Sequence, residues 1–210
     1  MTRREPRLDP QLAGILLPLS EDERAGLEAR LLAEGCRDPL VIWAGQGVLL
    51  DGRNRLDICR AHSLPYQTVE VDLPDRDAAK QWVIVNQLSR RNLTLEQASY
   101  LRGLQYRLQK HQVGRPQKCC QSDNIKGRTA ERMAAQVKAA ERTIYRDARF
   151  AEQVDAVAAN VGKEFRQKVL SREARTTRQE IGLLARLGPQ EQKTVAREVL
   201  EGGKTIREAL

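Results

Sequence analysis

The chain has 210 residues, with 36 Lys and Arg against 28 Asp and Glu, a formal net charge of +8. Hydrophobic residues make up 40% and charged residues 30%, a globular balance that excludes a disordered chain. No apolar run approaches the roughly 18 residues of a membrane span, and residues 8–19, broken by Asp9, Pro10 and Pro18, do not read as a signal peptide, so a cytoplasmic protein without membrane contact is expected.

Ser20 followed by Glu23 predicts a capping box opening a helix over 21–34, with Leu27, Leu31 and Leu32 as its apolar stripe and Gly35 as its stop. Residues 39–43 and 48–50 read as two strands of a hairpin around a turn at 45–47. A short helix over 53–62 follows, then a third strand over 66–71 and a helix over 77–87. Thr94 is placed to cap a long helix to Gln109, with Leu95, Ala98, Leu101, Leu104 and Leu108 facing inward. Over 110–128 the apolar period collapses into a basic linker. Its Gly114-Arg115-Pro116 has the form of an AT-hook core and also suits a plain flexible tether. Every later segment reads as helix, including a capping box at Thr177 and Glu180 and breaks near 171–177 and 187–189. These last helices either support the preceding helical pair or form a dimer surface. With eight aromatics in the chain, the core falls to Leu, Val, Ile and Ala, and Trp43, Trp82, Tyr100 and Tyr106 are assigned to packing. His62 and His111 are read as solvated surface groups. The fold class is α+β: a small mixed α/β domain over 1–109, a linker over 110–128, and an all-α domain over 129–210.

The charge is unevenly placed. Residues 1–87 are net −3, residues 88–150 net +9 and residues 151–210 net +2. A basic surplus confined to under a third of the chain suits either a polyanion partner or a solvated helix face, and the motif that follows tips the balance to a polyanion, double-stranded DNA. The four cysteines, Cys36, Cys59, Cys119 and Cys120, lack metal-site spacing and read as reduced thiols without a metal.

Within the basic block, 129–148 has the pattern of a helix-turn-helix. Ala134 is small where two helices cross, and Met133, Val137 and Ile144 are placed to seal that crossing. Lys138 stands in the turn where Gly is usual, a left-handed position that costs a residue with a side chain roughly 1 kcal/mol. Ala140 stands where Ser or Thr would cap the second helix. That helix projects Glu141, Arg142, Tyr145, Arg146 and Arg149 outward, its first turns suited to base edges in the major groove. Lys138, Arg142, Tyr145, Arg146 and Arg149 are the candidate DNA contacts, and steep salt dependence is expected of them.

A second constellation lies upstream. Asp51-Gly52-Arg53-Asn54-Arg55 joins a strand end to a helix start, where glycine admits close backbone approach and free N–H groups face an anion. The guanidinium groups of Arg53 and Arg55 add fixed positive charge. Asp51 is read as the ion-pair partner of Arg55 rather than a general base. A further polar run, Asn86-Gln87-Leu88-Ser89-Arg90-Arg91-Asn92-Leu93, closes the next helix.

Gly35-Cys-Arg-Asp-Pro39-Leu-Val-Ile, Asp51-Gly-Arg-Asn-Arg55 and Asn86-Gln-Leu-Ser-Arg-Arg-Asn-Leu93 occur in the order and spacing of the ParB/sulfiredoxin-like fold, and the chain resembles a ParB-type protein over about 8–108, with a helix-turn-helix after it. The resemblance implies that Gly35 and Pro39 contact a nucleotide base, that Gly52, Arg53, Asn54 and Arg55 grip its phosphates, and that Asn86, Gln87 and Arg90 help hold phosphates and metal. It also implies CTP or ATP as cofactor, a homodimer, and a role in plasmid, phage or chromosome partition or in transcription control. Arg53 and Asn86 replace two glutamates of the family boxes and Gln87 replaces an Asn, which weakens a site for Mg²⁺; no metal ligand is assigned. The Asp51-Gly52 opening is similar to a box of free serine kinases of the same fold. Sulfiredoxin chemistry needs a Cys where Arg53 and Asn54 stand. The alternative is therefore a nucleotide-dependent enzyme, an NTP hydrolase or phosphotransferase. The missing carboxylates favour binding over turnover, and no catalytic residue is assigned.

Overall fold

The computed structural model describes residues 5–90, 92–113 and 125–210. The expectations for 114–116, Cys119, Cys120 and the His111 side chain lie outside the described residues. The chain divides into two compact units, Met1–Gln87 and Leu88–Leu210.

In the first unit, helices α1 (Pro10–Ala13) and α2 (Glu21–Glu34) precede a hairpin of β1 (Leu40–Trp43) and β2 (Val48–Asp51). Helix α3 (Arg53–Ala61), strand β3 (Thr68–Val71) and helix α4 (Arg76–Leu88) follow. The sheet order is β2-β1-β3, with β2 antiparallel and β3 parallel to the central β1. Leu40, Ile42, Leu49 and Leu56 form the apolar centre where α3 covers the sheet. Residue 7 exchanges backbone hydrogen bonds with Gly47 and Leu49 at 2.9 and 2.8 Å, flanking β2. Asp9 caps α1 and also receives Arg76 Nη2 at 2.6 Å, tying α1 to the start of α4. The capping box at Ser20 and Glu23 forms as the spacing predicts. The stripe of α2 is narrower than expected: Leu31 is buried, whereas Leu32 is 52% exposed. His62 is exposed, as the sequence predicts, and at the surface pairs with Glu28 at 2.5 Å.

The second unit is helical. It comprises α5 (Leu95–Val113), α6 (Ile125–Gln136), α7 (Glu141–Val161), α8 (Lys163–Leu170), α9 (Arg178–Leu184), α10 (Pro189–Gly202) and α11 (Ile206–Ala209). The long α7 is its axis, in contact with α5, α6, α8, α9 and α10. The sequence grouped α5 with the N-terminal domain; in the structure its main packing partner is α7. Its inward face also differs from the expected leucine stripe. Ser99, Tyr100, Leu101, Gly103 and Tyr106 are buried, and Leu95 is 68% exposed. Thr177 and Glu180 form the predicted capping box of α9.

Candidate functional site

The α6–α7 pair is built on local chemistry. After Gln136 the chain turns on Lys138, whose φ of 50° is left-handed. Its N–H reaches the carbonyl of Ala135, and that of Ala139 reaches the carbonyl of Ala134, at 3.3 and 2.9 Å. These bonds close the helix end much as a glycine cap would. Ala140 is the N-cap of α7 and supplies no side-chain bond. Ala130, Met133, Ala134 and Ile144 are buried together with Tyr106 from α5. The expected Val137 does not seal this crossing; it is 40% exposed. Tyr106 fills that role, because an aromatic ring from a third helix covers more apolar area than a valine at the turn.

The buried face of α7 holds Ile144, Asp147, Phe150, Ala151, Val154 and Val157. Opposite it, Arg142, Tyr145, Arg146 and Arg149 are exposed, with Glu141 and Lys138 beside them. The spacing of 142, 145, 146 and 149 is one helical face. Tyr145 stands edge-on to Tyr106 with ring centroids 5.6 Å apart, so its ring is braced from below. Burial and the neighbouring Tyr145 hydroxyl raise the pKa of Tyr106. Arg142, Arg146, Arg149 and Lys138 make no ion pair with another described residue.

Beneath this face lies a buried polar cluster whose members are 31 to 48 positions apart, too far for any local pattern to reveal. The Asp147 carboxylate, fully buried, accepts from the Ser99 hydroxyl, from Arg102 Nε at 2.7 Å and from Arg178 Nη1 at 3.2 Å. The Arg178 guanidinium also lies 5.1 Å over the Phe150 ring. Tyr100 donates to Asp155 at 2.6 Å, and Arg107 reaches the same carboxylate at 2.9 Å. Burial, then the Asp155 charge, pushes the Tyr100 phenol well above its usual range.

In the first unit, Gly52 links β2 to α3 at a φ of 94° and caps α3 without a side chain. A Cβ there would lie 2.6 Å from Leu40 Cδ2, so the left-handed turn and the packing both demand glycine. The first-turn N–H groups of α3 therefore meet no side-chain cap, the arrangement that receives an anion at a helix N-terminus. Arg53 is exposed, 3.8 Å from Asp57. Arg55 folds back into the protein: it bonds Asp51 at 3.0 Å, the Pro39 carbonyl at 3.4 Å and Asp38 at 3.6 Å. Asp51 is thus an ion-pair partner of Arg55, as the sequence predicts. Through Arg55 the Gly35–Pro39 loop and the Gly52–Arg55 turn are brought together. Asn86 and Gln87 occupy the last turn of α4. Gln87 is fully buried, and among the described residues neither side-chain amide atom has a hydrogen-bond partner. Arg90 falls in the second unit. Among the described residues, no group of three His, Cys, Asp or Glu side chains is placed to hold a metal, and no helix is long and apolar enough to cross a membrane.

No family model and no curated protein matches the chain. Solved structures do. The fold is that of ParB N-domains: a pNOB8-like ParB N-domain is 16% identical, with 97% of this chain and 92% of that chain covered at a TM-score of 0.57. A second pNOB8-like ParB N-domain structure is 18% identical, with coverage of 98% and 90% and a TM-score of 0.53. The C-terminally truncated chromosome-partitioning protein ParB from Caulobacter crescentus, complexed to the centromeric parS site, aligns at 15% identity with coverage of 97% and 91% and a TM-score of 0.41.

Proposed function

We propose that this chain is a cytoplasmic, homodimeric ParB-type DNA-binding protein that lays the N-terminal half of α7 in the major groove, serving plasmid, phage or chromosome partition or local transcription control. One observation carries the reading: Arg142, Tyr145, Arg146 and Arg149 form an exposed stripe on a helix whose opposite face is wholly buried. A helix held so firmly by one side presents the other in fixed register, which base contact requires. The net +9 of residues 88–150 and the ParB N-domain fold support it.

The N-terminal unit would hold a nucleotide, CTP or ATP, with its phosphates on the open α3 N-terminus and Arg53. Gly35 and Pro39 would take the base, and Asn86 and Gln87 would complete the site. Support comes from the uncapped first turn of α3 and from the unpartnered amide of Gln87, a buried polar group that a ligand would satisfy. Asp38 and Asp51 already neutralise Arg55, so Arg53 and the backbone N–H groups would carry most of the phosphate contact. A bound nucleotide gates DNA binding only by its differential affinity for two states.

The test replaces Arg142 and Arg146 with Ala and titrates duplex DNA selected from a random pool over a series of salt concentrations. Each lost contact costs about 1–3 kcal/mol, and each lost phosphate contact lowers the salt slope by about 1. Wild-type affinity and slope in the double variant overturn the assignment of α7. Equilibrium binding of CTP and ATP, with and without that DNA, tests the gate separately.

A further inference from the structure

Eight aromatic residues occur in the chain, and among the described residues Tyr145 is the exposed one, at 43%. Tyr100, Tyr106, Phe150 and Phe165 are buried, and Trp43, Tyr66 and Trp82 are half-buried. Tyr145 lies in the second turn of α7, within the part of such a helix that meets base edges in the major groove. Arg142 and Arg146 flank it on the same exposed face. Its ring stands edge-on to the Tyr106 ring, with an interplanar angle of 82° and centroids 5.6 Å apart. Tyr106 is itself fixed in the buried cluster of Ala130, Met133, Ala134 and Ile144. A ring on two χ angles that is already braced on one side loses little freedom on making a contact.

The arginines and this ring differ in what they can read. Guanidinium groups pair with phosphate oxygens and with O6 and N7 of guanine. The apolar surface of a ring has its counterpart in the C5-methyl group of thymine, which projects among the hydrogen-bond donors and acceptors of the major groove. We propose that Tyr145 is a specificity-determining residue that packs its ring against a thymine methyl group, and that Tyr106 is the positioning residue that holds the ring for it. The inference rests on the reading of α7 as the groove-bound helix and adds a base identity to it. One buried methyl group is worth about fourfold in affinity. That discrimination is insensitive to salt, unlike the phosphate contacts of the flanking arginines.

Duplex DNA selected from a random pool is resynthesised with deoxyuridine in place of each thymidine in turn, which removes the methyl group and keeps base pairing and the O4 acceptor. At one thymine of a half-site the wild type should lose about fourfold in affinity. Tyr145→Phe keeps the ring and should keep this thymine-to-uracil ratio. Tyr145→Ala should bring the ratio to about 1 with the salt slope unchanged; both changes lie on the exposed face and spare the core. Tyr106→Leu removes the brace and should shrink the ratio at that base, which a merely structural role would leave alone. A ratio of wild-type size in Tyr145→Ala overturns the proposal. So does a wild type that binds the selected duplex yet is indifferent to every substitution; the placement of α7 in the groove survives both results. Tyr145→Phe as weak as Tyr145→Ala on thymine and uracil alike gives the contact to the hydroxyl and overturns it too. An unchanged ratio in Tyr106→Leu overturns the positioning role. A wild type that binds none of the duplexes at low salt overturns the reading of α7 and this inference together.

Discussion

Gly103 of α5 lies directly under the main chain of Asp147 in α7: a Cβ at Gly103 would stand 2.3 Å from the Asp147 carbonyl oxygen and 2.8 Å from Ala151 Cβ. The two helices approach this closely because α5 presents no side chain at the crossing and α7 presents only the small Ala151. Helix propensity alone favours alanine over glycine by about 0.5–1 kcal/mol. The clash is with backbone, which cannot swing aside, and overpacking of this kind costs about 1–3 kcal/mol. Gly103→Ala should therefore lose about 1–2 kcal/mol in urea unfolding. It should also weaken DNA binding, since α7 must shift. A raised midpoint would show that propensity wins and that the crossing yields freely.

Asp147 and Arg146 are neighbours on α7 with opposite surroundings. Asp147→Asn leaves Arg102 and Arg178 facing a neutral amide. Removing one member of a buried ionic group costs about 3–5 kcal/mol, and the lower end is expected here, because the two arginine side chains are 23% and 36% exposed and can recruit water. Arg146→Ala, on the open face, should change stability by less than about 0.5 kcal/mol while weakening DNA binding. Paired denaturation and binding measurements check both; equal stability losses would mean that the buried carboxylate holds nothing together.

What the sequence disclosed and what it concealed follow from range. The capping boxes at Ser20 and Thr177, the left-handed Lys138, the uncapped Ala140 and the Asp51–Arg55 pair each depend on residues within five positions, and each forms. The outward stripe of α7 was legible for the same reason, since one period sorts its two faces. The inward face of α5 was not. Its buried residues include Ser99 and Gly103, whose value appears only beside Asp147, 44 to 48 positions later. A hydropathy stripe drawn through Leu95 counted burial where there is no partner. Likewise His62 gains Glu28 from 34 positions away, and Arg55 turns toward the 38–39 loop instead of outward. At the candidate nucleotide site, spacing identified the open turn at Gly52 and the Asp51–Arg55 pair, but not the approach of Asp38 and the Pro39 carbonyl to the same guanidinium.

Lys138 permits a separation of stability from recognition. Its left-handed φ of 50° penalises a residue with a side chain, and glycine relieves that by roughly 1 kcal/mol. Some of the gain is returned to the more flexible unfolded chain, so Lys138→Gly should raise unfolding stability by a few tenths of a kcal/mol to about 1 kcal/mol. The same change deletes a cation beside the α7 stripe. A more stable protein with weaker DNA binding and a salt slope lower by about 1 is the expected pair of results. Loss of stability would mean that the lysine side chain, not the backbone turn, is what the fold requires.

Glu180 gives the helical unit an acid-side dependence. Its carboxylate accepts from the Thr177 N–H and hydroxyl, both at 2.8 Å. Burial alone would raise its pKa; the Thr177 and Arg207 hydrogen bonds and the Arg207 charge outweigh it, so the net shift is downward from 4.5. A carboxyl held below its unfolded value contributes stability that is complete above about 4.5 and is lost as pH falls through the lower folded value. Stability measured by urea unfolding should therefore decline below that point. Thr177→Ala removes the cap hydroxyl, costs about 1 kcal/mol at neutral pH and should flatten the decline. Glu180→Gln keeps a capping-box side chain but has no proton to gain, so it should flatten the decline further while sparing most of the box geometry. An acid limb equally steep in wild type and Glu180→Gln would assign it to other carboxylates.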